Sequence, residues 1–322
     1  MNTTIATVFI AACARLASVK AVFSFKPSRA TGTRAASAIS PGGRRGWGDR
    51  GLTPLSRWAL LAALVVGGAA PAWAGRACTA PQPPKTATIE RALNLAERTL
   101  AALDQSGADV VILARAGQDL SRYGLRYSHL GFAYRQRDAQ GASVWRVLHK
   151  LNQCGTAVSA LYRQGLGDFF LDDLWRFEAA WVVPTPEVQR KLLAVLTDPA
   201  RSIHLHHQPY NMVSYVWSLQ YQQSNQWAIE TLAMALGAGG PGSWASRDQA
   251  QKWLYTHDYQ PSVLTIGAMT RLGARMTAAN VAFDDHPSSK RFADRIETVT
   301  VDSVFAWLPR AGLSTQPLVT LR

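Results

Sequence analysis

The stretch of sequence that decides the fold reads Tyr-Ser-His-Leu-Gly-Phe-Ala-Tyr at 127–134 and Val-Trp-Arg-Val-Leu-His at 144–149. The runs that contain these stretches, 127–136 and 143–150, are rich in aromatic and β-branched side chains, which favours extended strands. Between them lies Asp-Ala-Gln-Gly at 138–141, a group of residues typical of a tight turn. The pattern therefore predicts an antiparallel hairpin.

A histidine lies toward the open end of each predicted strand. His129 is about nine residues before the turn and His149 about eight residues after it, so an unbroken ladder brings the two rings together. One imidazole of such a pair can act as a general base while the other orients it. The alternative is two ordinary histidines at an exposed end of the sheet. Spacing alone leaves both interpretations open.

The other elements that the sequence predicts belong to an α+β fold. Helices are predicted over 86–105, 186–196, 224–236, 247–255 and 262–277, and further strands over 110–113, 177–183 and 297–301. The order is a helix, then several strands, then several helices, and the alternation of a βαβ fold is absent. We therefore expect an antiparallel sheet packed with helices.

The predicted helix over 224–236 supplies a candidate nucleophile. It opens with Gln-Ser-Asn-Gln-Trp at 223–227. A side chain in the first turn of a helix is close to unpaired backbone N–H groups and to the positive end of the helix dipole, which favour an anion there. Ser224 is therefore a candidate nucleophile, but serine is also a preferred N-cap residue. The sequence leaves both roles open.

These segments together resemble the circularly permuted papain-like proteins. His-Leu-Gly-Phe at 129–132, followed one hairpin later by Val-Leu-His at 147–149, is similar to the paired histidine strands of that superfamily. Its members include the NlpC-type cell-wall peptidases and the lecithin retinol acyltransferase-like enzymes. In the latter, a later helix that opens with Asn-Cys-Glu-His-Phe carries the thiol. The segment 223–227 resembles this element, with Ser224 in the place of the cysteine.

Over most of residues 77–322 the chain also resembles a family of exported proteobacterial proteins that is classed as a domain of unknown function. This resemblance implies export and no particular activity. The stretches that carry it are Tyr-Ser-His-Leu-Gly-Phe-Ala at 127–133, Leu-Asn-Gln-Cys-Gly at 151–155, Phe-Phe-Leu-Asp-Asp at 169–173 and Ser-Asn-Gln-Trp at 224–227.

The papain-like resemblance implies a permuted papain-like fold and an acyl-bond (amide or ester) hydrolase or transferase of the cell envelope. Ser224 would attack the acyl group, His129 would act as the base, and His149, or Asn152 just beyond it, would orient His129. A serine hydroxyl needs full general-base help, whereas a thiol is partly ionised near neutral pH. The alternative is therefore a catalytically inactive papain-like module that binds a peptide or glycan of the envelope.

Residues 1–74 predict an N-terminal extension with an export signal. The apolar run at 59–70 has the length of a signal-peptide core, Arg57 precedes it, and Ala-Trp-Ala at 72–74 follows. The run is too short to span a membrane. We therefore expect cleavage after Ala74, a single α+β domain over 75–322, a periplasmic location and no stable membrane span after processing.

The distribution of charge removes the main argument for a nucleic-acid partner. The chain has 34 basic and 21 acidic residues, a formal net charge of +13, but residues 1–74 contain nine of the basic residues and one acid. Residues 75–322 therefore retain 25 basic and 20 acidic residues, a net charge of +5, which says little about partners. The expected partner is a peptide, glycan or acyl substrate of the cell envelope.

Cysteine and histidine usage indicates one disulfide and no metal. Cys13 is removed with the signal, so the exported chain retains Cys78 and Cys154, and such a pair in an oxidising compartment predicts a disulfide. His-Leu-His-His at 204–207 could bind a metal, but no nearby carboxylate or cysteine completes a ligand set. No phosphate-binding loop or dinucleotide motif is present, so we expect no cofactor.

Overall fold

The computed structural model describes residues 83–137, 139–172, 174–240 and 243–322. The chain divides into two compact units, Met1–Gly67 and Gly68–Arg322, and every described residue lies in the second. The export signal predicted over 1–74 and Cys78 lie outside the described residues, so cleavage, the domain boundary at 75 and the periplasmic location stay predictions. In the described part, no helix is long and apolar enough to cross a membrane.

The described residues form the α+β arrangement of helices and strands that the sequence predicts. Along the chain these are α1 (Thr86–Gln105), β1 (Val110–Ala116), a 3₁₀ helix (Ser121–Tyr123), β2 (His129–Arg137), β3 (Ser143–Asn152), β4 (Ser159–Gln164), α2 (Leu166–Phe170), β5 (Arg176–Val182), α3 (Pro186–Leu196), α4 (Pro199–Ile203), α5 (Ser224–Ala235), α6 (Arg247–Thr256), β6 (Ser262–Thr265), α7 (Ala268–Thr277), α8 (Ser288–Phe292), β7 (Arg295–Thr298), α9 (Val301–Arg310) and β8 (Val319–Leu321).

Six strands form one antiparallel sheet in the order β4, β3, β2, β1, β5 and β8. The hairpin predicted from 127–150 is confirmed as β2 and β3, which pair from Phe132 opposite Leu148 to Arg137 opposite Ser143. These two strands lie in the interior of the sheet, with β1 and β4 on either side, and this position accounts for their apolar and aromatic content.

The two faces of the sheet bury two separate cores, because neighbouring residues on a strand point to opposite faces. On one side, which we call the α5 face, Phe132 packs in the same core as Trp227 of α5. On the other, which we call the α1 face, Ala133 packs in the same core as Leu95 of α1 and Phe169 of α2. Even-numbered residues of β2 therefore point toward α5, and odd-numbered residues point toward α1 and α2.

The predicted helix over 262–277 is wrong in its first turn. Residues Ser262–Thr265 form β6, which pairs with β7 in a separate two-stranded sheet, and the helix begins only at Ala268. The partner strand is distant in the chain, so the local pattern could not reveal it. Helix α9 was not predicted, although Thr300 and Ser303 form a capping box at its first turn, which is a readable sequence signal.

Candidate functional site

The two predicted histidines meet on the α1 face of the sheet. His129 is the first residue of β2, and His149 lies on β3. The His129 Nε2 and the His149 Nδ1 are 2.8 Å apart, which is hydrogen-bond distance. The His149 Nε2 in turn lies 2.7 Å from the Gln164 Oε1 on β4. The hairpin pattern therefore predicts the meeting of the two rings correctly, and β4 adds a third polar group.

Gly131 makes room for His149 beside the neighbouring strand. A Cβ atom at position 131 would lie 2.8 Å from the His149 Cβ and 3.1 Å from the Leu148 carbonyl oxygen. Real Cβ atoms essentially never show the first distance, and the second is unusually tight, so glycine is what permits this approach of the two strands. The glycine of the His-Leu-Gly-Phe stretch is thus part of the structure that holds the histidine pair.

Helix α2 closes the histidine pair off from solvent. The Phe169 ring centroid lies 6.0 Å from that of His129 and 5.2 Å from that of His149. The Arg115 guanidinium lies over this phenyl ring, 4.6 Å from its centroid, and it hydrogen-bonds the Phe169 carbonyl and the Asp172 carboxylate. The exposed fraction is 8% for His129 and 0% for His149. The pair is therefore part of a filled core and does not line an open cleft.

Burial keeps both imidazoles neutral. Burial first and the Arg115 guanidinium second lower the pKa of His149, Gln164 and Asp172 oppose them, and the resulting pKa is about 4. Burial, Arg115 and His149 hold the pKa of His129 well below its usual range. Because the Gln164 Oε1 can only accept, the His149 Nε2 carries the proton, and its Nδ1 accepts from the His129 Nε2–H. The His129 Nδ1 is then left unprotonated.

The structure does not bring Ser224 to the histidines. Ser224 begins α5, and Gln223 is the N-cap, its side chain accepting from the Asn225 N–H, so Ser224 is not the N-cap of this helix. Trp227 anchors α5 to Phe132 at 5.9 Å, on the α5 face. Because the histidines point to the α1 face, the sheet separates them from α5, and no hydrogen bond between described residues joins Ser224 to either ring.

Other groups surround Ser224. Burial raises the pKa of the Tyr210 phenol, and the neighbouring Ser224 side chain opposes this shift. A hydrogen bond connects α5 to the histidine strand β2: the Asn225 Oδ1 accepts from the Leu130 N–H over 3.1 Å. The first turn of α5 thus adjoins the start of β2. Alternation along the strand explains the separation, because Leu130 is directed toward α5 and His129 away from it.

Asn152, the alternative orienting residue, also lies away from the pair. It is the last residue of β3, and its side chain donates to the Gln153 carbonyl over 3.3 Å. Gln164 occupies the orienting position instead. Val147 and Gln164 are direct partners across β3 and β4, so Gln164 shares a face with His149. No local sequence signal marks Gln164, because its role depends on the pairing of β4.

The histidine cluster over 204–207 does not form a metal site in the structure. Among the described residues, no group of three or more His, Cys, Asp or Glu side chains could hold a metal ion. His204 packs edge-on against Trp244 at 5.0 Å, and the His207 ring lies 3.0 Å from the Gln220 carbonyl oxygen. These contacts hold the segment between α4 and α5 against its neighbours.

A buried polar network on the α5 face was missed by sequence reasoning. The Lys150 Nζ donates to the carbonyls of His207 and Gln222 and to the Gln222 Oε1, each over 2.7 Å. Burial first and Arg247 second lower the pKa of Lys150, Glu230 opposes them, and the resulting pKa is about 6. The signal in the sequence is a lysine inside a predicted strand, and only the structure shows that this lysine is fully buried.

Glu230 is the centre of this network. The carboxylate, with an exposed fraction of 0%, accepts from the Arg247 Nε over 2.8 Å and the Arg247 Nη2 over 3.0 Å. It also accepts from the side-chain amides of Gln222 over 2.5 Å and Gln251 over 2.8 Å. Lys150, Gln222, Glu230 and Arg247 thus link β3, α5 and α6 through one connected set of hydrogen bonds.

An open groove of about 450 Å³ lies away from the histidines, between the end of α6 and β7. Its lining has aromatic rings, carboxylates and an amide and contains no lysine, arginine or histidine: Trp217, Tyr255, Asp258, Tyr259, Gln260, Pro261, Val263 and Glu297. The Trp217 ring packs edge-on against Tyr255 at 5.6 Å and against Tyr259 at 6.4 Å. We call this site the aromatic groove.

The walls of the aromatic groove differ in rigidity. Tyr259 is buried and its hydroxyl lies 2.8 Å from the Ser303 Oγ, so its ring is held in place, and burial raises the pKa of this phenol. Glu297 is also buried and forms an ion pair with Lys290. Tyr255, by contrast, has an exposed fraction of 71%. The groove thus presents an exposed aromatic ring beside fixed polar groups.

Comparison with known proteins identifies one related family. A family model described as "Uncharacterized protein conserved in bacteria (DUF2145)" matches residues 102–308, which include the histidine hairpin, Ser224 and the whole aromatic groove. No curated protein and no solved structure matches the chain. No papain-like relative is found by these comparisons.

Proposed function

Because the chain belongs to DUF2145, a family of uncharacterized proteins conserved in bacteria, we propose a function from its own side chains: it is a non-catalytic module that binds a glycan of the cell envelope. The observation that carries this proposal is the aromatic groove, whose lining combines the exposed Tyr255 ring and the half-buried Trp217 ring with hydrogen-bond acceptors. The export signal predicted over 1–74 supports the envelope as the place of action.

The lining of the groove suits a neutral sugar. The C–H faces of a pyranose ring pack on aromatic rings such as those of Trp217 and Tyr255, and sugar hydroxyls donate to carboxylate and amide oxygens such as those of Asp258, Gln260 and Glu297. A cavity of about 450 Å³ lies within the range of small-molecule sites. Since no cationic side chain lines the groove, a neutral ligand is favoured over a phosphorylated or carboxylated one.

The histidine pair supports a binding role rather than turnover. Phe169 covers both rings, and the helix that begins at Ser224 packs on the opposite face of the sheet. The permuted papain-like relationship is part of this proposal. It is supported by the paired histidines on β2 and β3 and by the contact between Asn225 and the start of β2. A relative that has lost its nucleophile can retain such a framework without catalysis.

We expect the protein to bind a soluble N-acetylglucosamine tetramer, and Tyr255→Ala to weaken the binding at least tenfold, about 1.4 kcal/mol. Tyr255 is largely exposed, so the substitution removes a ring from the groove without opening the core. Isothermal titration calorimetry measures both dissociation constants. Trp175→Ala, which removes an exposed aromatic ring outside the groove, is the matched control and should leave the affinity unchanged.

Two outcomes would contradict the glycan proposal. One is the absence of glycan binding by the wild-type protein, and the other is binding that Tyr255→Ala leaves unchanged. A cell-wall stem peptide without sugar is titrated in parallel. Binding of that peptide alone, with the same sensitivity to Tyr255→Ala, would assign the groove to a peptide instead.

An acyl-bond hydrolase or transferase is the second candidate, and the hydrogen-bonded histidine pair is the observation that favours it. The reaction requires the Ser224 Oγ to reach the His129 Nδ1, so the first turn of α5 would have to move around the end of β2. A serine-directed fluorophosphonate probe tests this. Labelling that is lost in both Ser224→Ala and His129→Ala, with folding intact, would support an enzyme, and an unlabelled wild-type protein would argue against it.

The disulfide between Cys78 and Cys154 belongs to the same proposal of an exported protein. Cys154 follows the end of β3, so the bridge would attach the N-terminal segment beside the histidine hairpin. It would close a loop of about 75 residues, for which chain entropy predicts about 4 kcal/mol of stabilisation. We expect no titratable thiol in the processed, denatured and unreduced protein, and lower stability for Cys154→Ser. Two free thiols in the wild-type protein would contradict the pairing.

A further inference from the structure

Helix α7 has apolar side chains on the side that faces solvent. Its inner side, with Arg271 and Ala274, is buried against the small core around Ile296. Met269, Leu272 and Met276 are spaced at i, i+3 and i+7, and such residues share one face of a helix. Their exposed fractions are 80%, 54% and 79%. The helix is therefore apolar on its outer face, where surface helices are ordinarily polar.

A fourth exposed apolar side chain lies near this helix. Phe292, at the end of α8, has an exposed fraction of 74%. Asp294, two residues after α8, forms an ion pair with Arg271 of α7, and its carbonyl accepts from the Ile266 N–H, just before α7, over 3.0 Å. We call Met269, Leu272, Met276 and Phe292 the outer apolar patch. Its members include the three most exposed large hydrophobic side chains of the described part of the chain.

Three arginines lie on the two helices of the outer apolar patch and on the strand that follows them. Arg275 lies on α7, Arg291 on α8 and Arg295 on β7. No ion pair within the described part of the chain joins Arg275 or Arg291 to a carboxylate, and the Arg295 guanidinium is 3.9 Å from the Glu297 carboxylate, with an exposed side-chain fraction of 58%. The surface thus combines apolar side chains with accessible positive charge, which is the composition of segments that lie on anionic membranes.

We propose that the outer apolar patch docks the protein on the surface of an anionic phospholipid bilayer. The four apolar side chains insert at the boundary between headgroups and acyl chains, and Arg275, Arg291 and Arg295 contact lipid phosphates. The positive charge of these arginines complements an anionic lipid surface. A single helix of 10 residues, about 15 Å long, also offers a narrow ridge rather than the area of about 800 Å² per partner that a stable dimer buries.

The test is co-sedimentation of the purified full-length protein with vesicles. One set of vesicles contains equal parts phosphatidylcholine and phosphatidylglycerol, and the other contains phosphatidylcholine alone. We expect binding to the anionic vesicles, and Met269→Gln/Leu272→Gln/Met276→Gln should lower the partition coefficient at least tenfold. Arg275→Gln/Arg291→Gln should lower the partition coefficient about tenfold and make it less dependent on the salt concentration.

The control is Ile203→Gln/Leu219→Gln, which removes two exposed apolar side chains outside the patch and should leave the partition coefficient unchanged. All variants retain residues 1–74, so any binding by the predicted signal segment is common to them. Equal binding by the wild-type protein and the methionine–leucine variant would overturn the proposal, as would no binding to either vesicle. Sedimentation velocity adds one outcome. If the wild-type protein forms a dimer and the methionine–leucine variant does not, the patch is a self-association surface and the membrane proposal is wrong.

Discussion

Glu230→Gln is expected to lower the free energy of unfolding by about 3–5 kcal/mol, because it removes one partner of a buried ion pair. The carboxylate is fully buried and accepts from Arg247, Gln222 and Gln251. A glutamine of the same shape turns an N–H₂ group toward these donors and leaves the Arg247 charge without its carboxylate. Glu230 also favours the charged form of Lys150, so its replacement should lower the pKa of this buried amine further.

Urea unfolding followed by tryptophan fluorescence measures this loss. Glu187→Gln is the matched control, because Glu187 forms an exposed ion pair with Lys191 on α3, and its replacement should change nothing measurable. In Glu230→Met/Arg247→Met both charges are removed, so part of the stability should return. The recovery is incomplete because Arg247 also donates to the carbonyls of Ser218, Leu219 and Tyr221. Equal stability of Glu230→Gln and wild type would show that the network is not structural.

The second large effect is a loss of stability in acid that depends on His149. Its pKa is about 4 in the folded protein, against 6.5 for an ordinary histidine. Between these two values the unfolded chain binds a proton that the folded protein excludes, so the stability falls as the pH falls. For His149 the loss amounts to about 3 kcal/mol between pH 6.5 and pH 4, or about 1.4 kcal/mol per pH unit. Above pH 6.5 this contribution is constant.

The comparison that isolates this effect is the difference in slope between wild type and His149→Gln. Free energies of unfolding are measured at several pH values from 4.5 to 7.5. Below pH 6.5 the free energy of unfolding should change with pH more steeply in the wild type than in the variant. The difference should be about 1.4 kcal/mol per pH unit, which corresponds to one proton, and above pH 6.5 the two slopes should agree. His129, whose pKa burial also lowers, contributes in the same direction and is tested by His129→Gln. Identical slopes in wild type and His149→Gln would mean that the folded protein accommodates the charged ring.

Lys150 and the histidine pair illustrate what strand alternation does at neighbouring positions. Lys150 follows His149 directly, yet its Nζ is held by Gln222 on the α5 face, while His149 faces Phe169 on the α1 face. The two sets of polar groups are therefore separated by the sheet. A substitution in one set should alter stability without altering the hydrogen bonds of the other, so the Glu230 and His149 effects are expected to be additive.

Local pattern in the sequence was sufficient for the hairpin and for the meeting of its histidines. The reason is that a strand has a period of two residues and a hairpin pairs residues equidistant from its turn, so the positions of His129 and His149 follow from counting. The α+β class also follows, because the order of helices and strands is visible in the spacing of apolar residues. Both conclusions depend on chain neighbours alone.

Only the tertiary structure decided which elements meet across the sheet. Helix α5 could have packed on either face, and the choice of the face opposite His129 separates Ser224 from the base that the papain-like resemblance implies. The place of Gln164 beside His149 depends on the pairing of β4, and that of Glu230 beside Arg247 on the packing of α5 and α6. These contacts join segments far apart in the chain, and packing of whole elements, which local spacing does not encode, determines them.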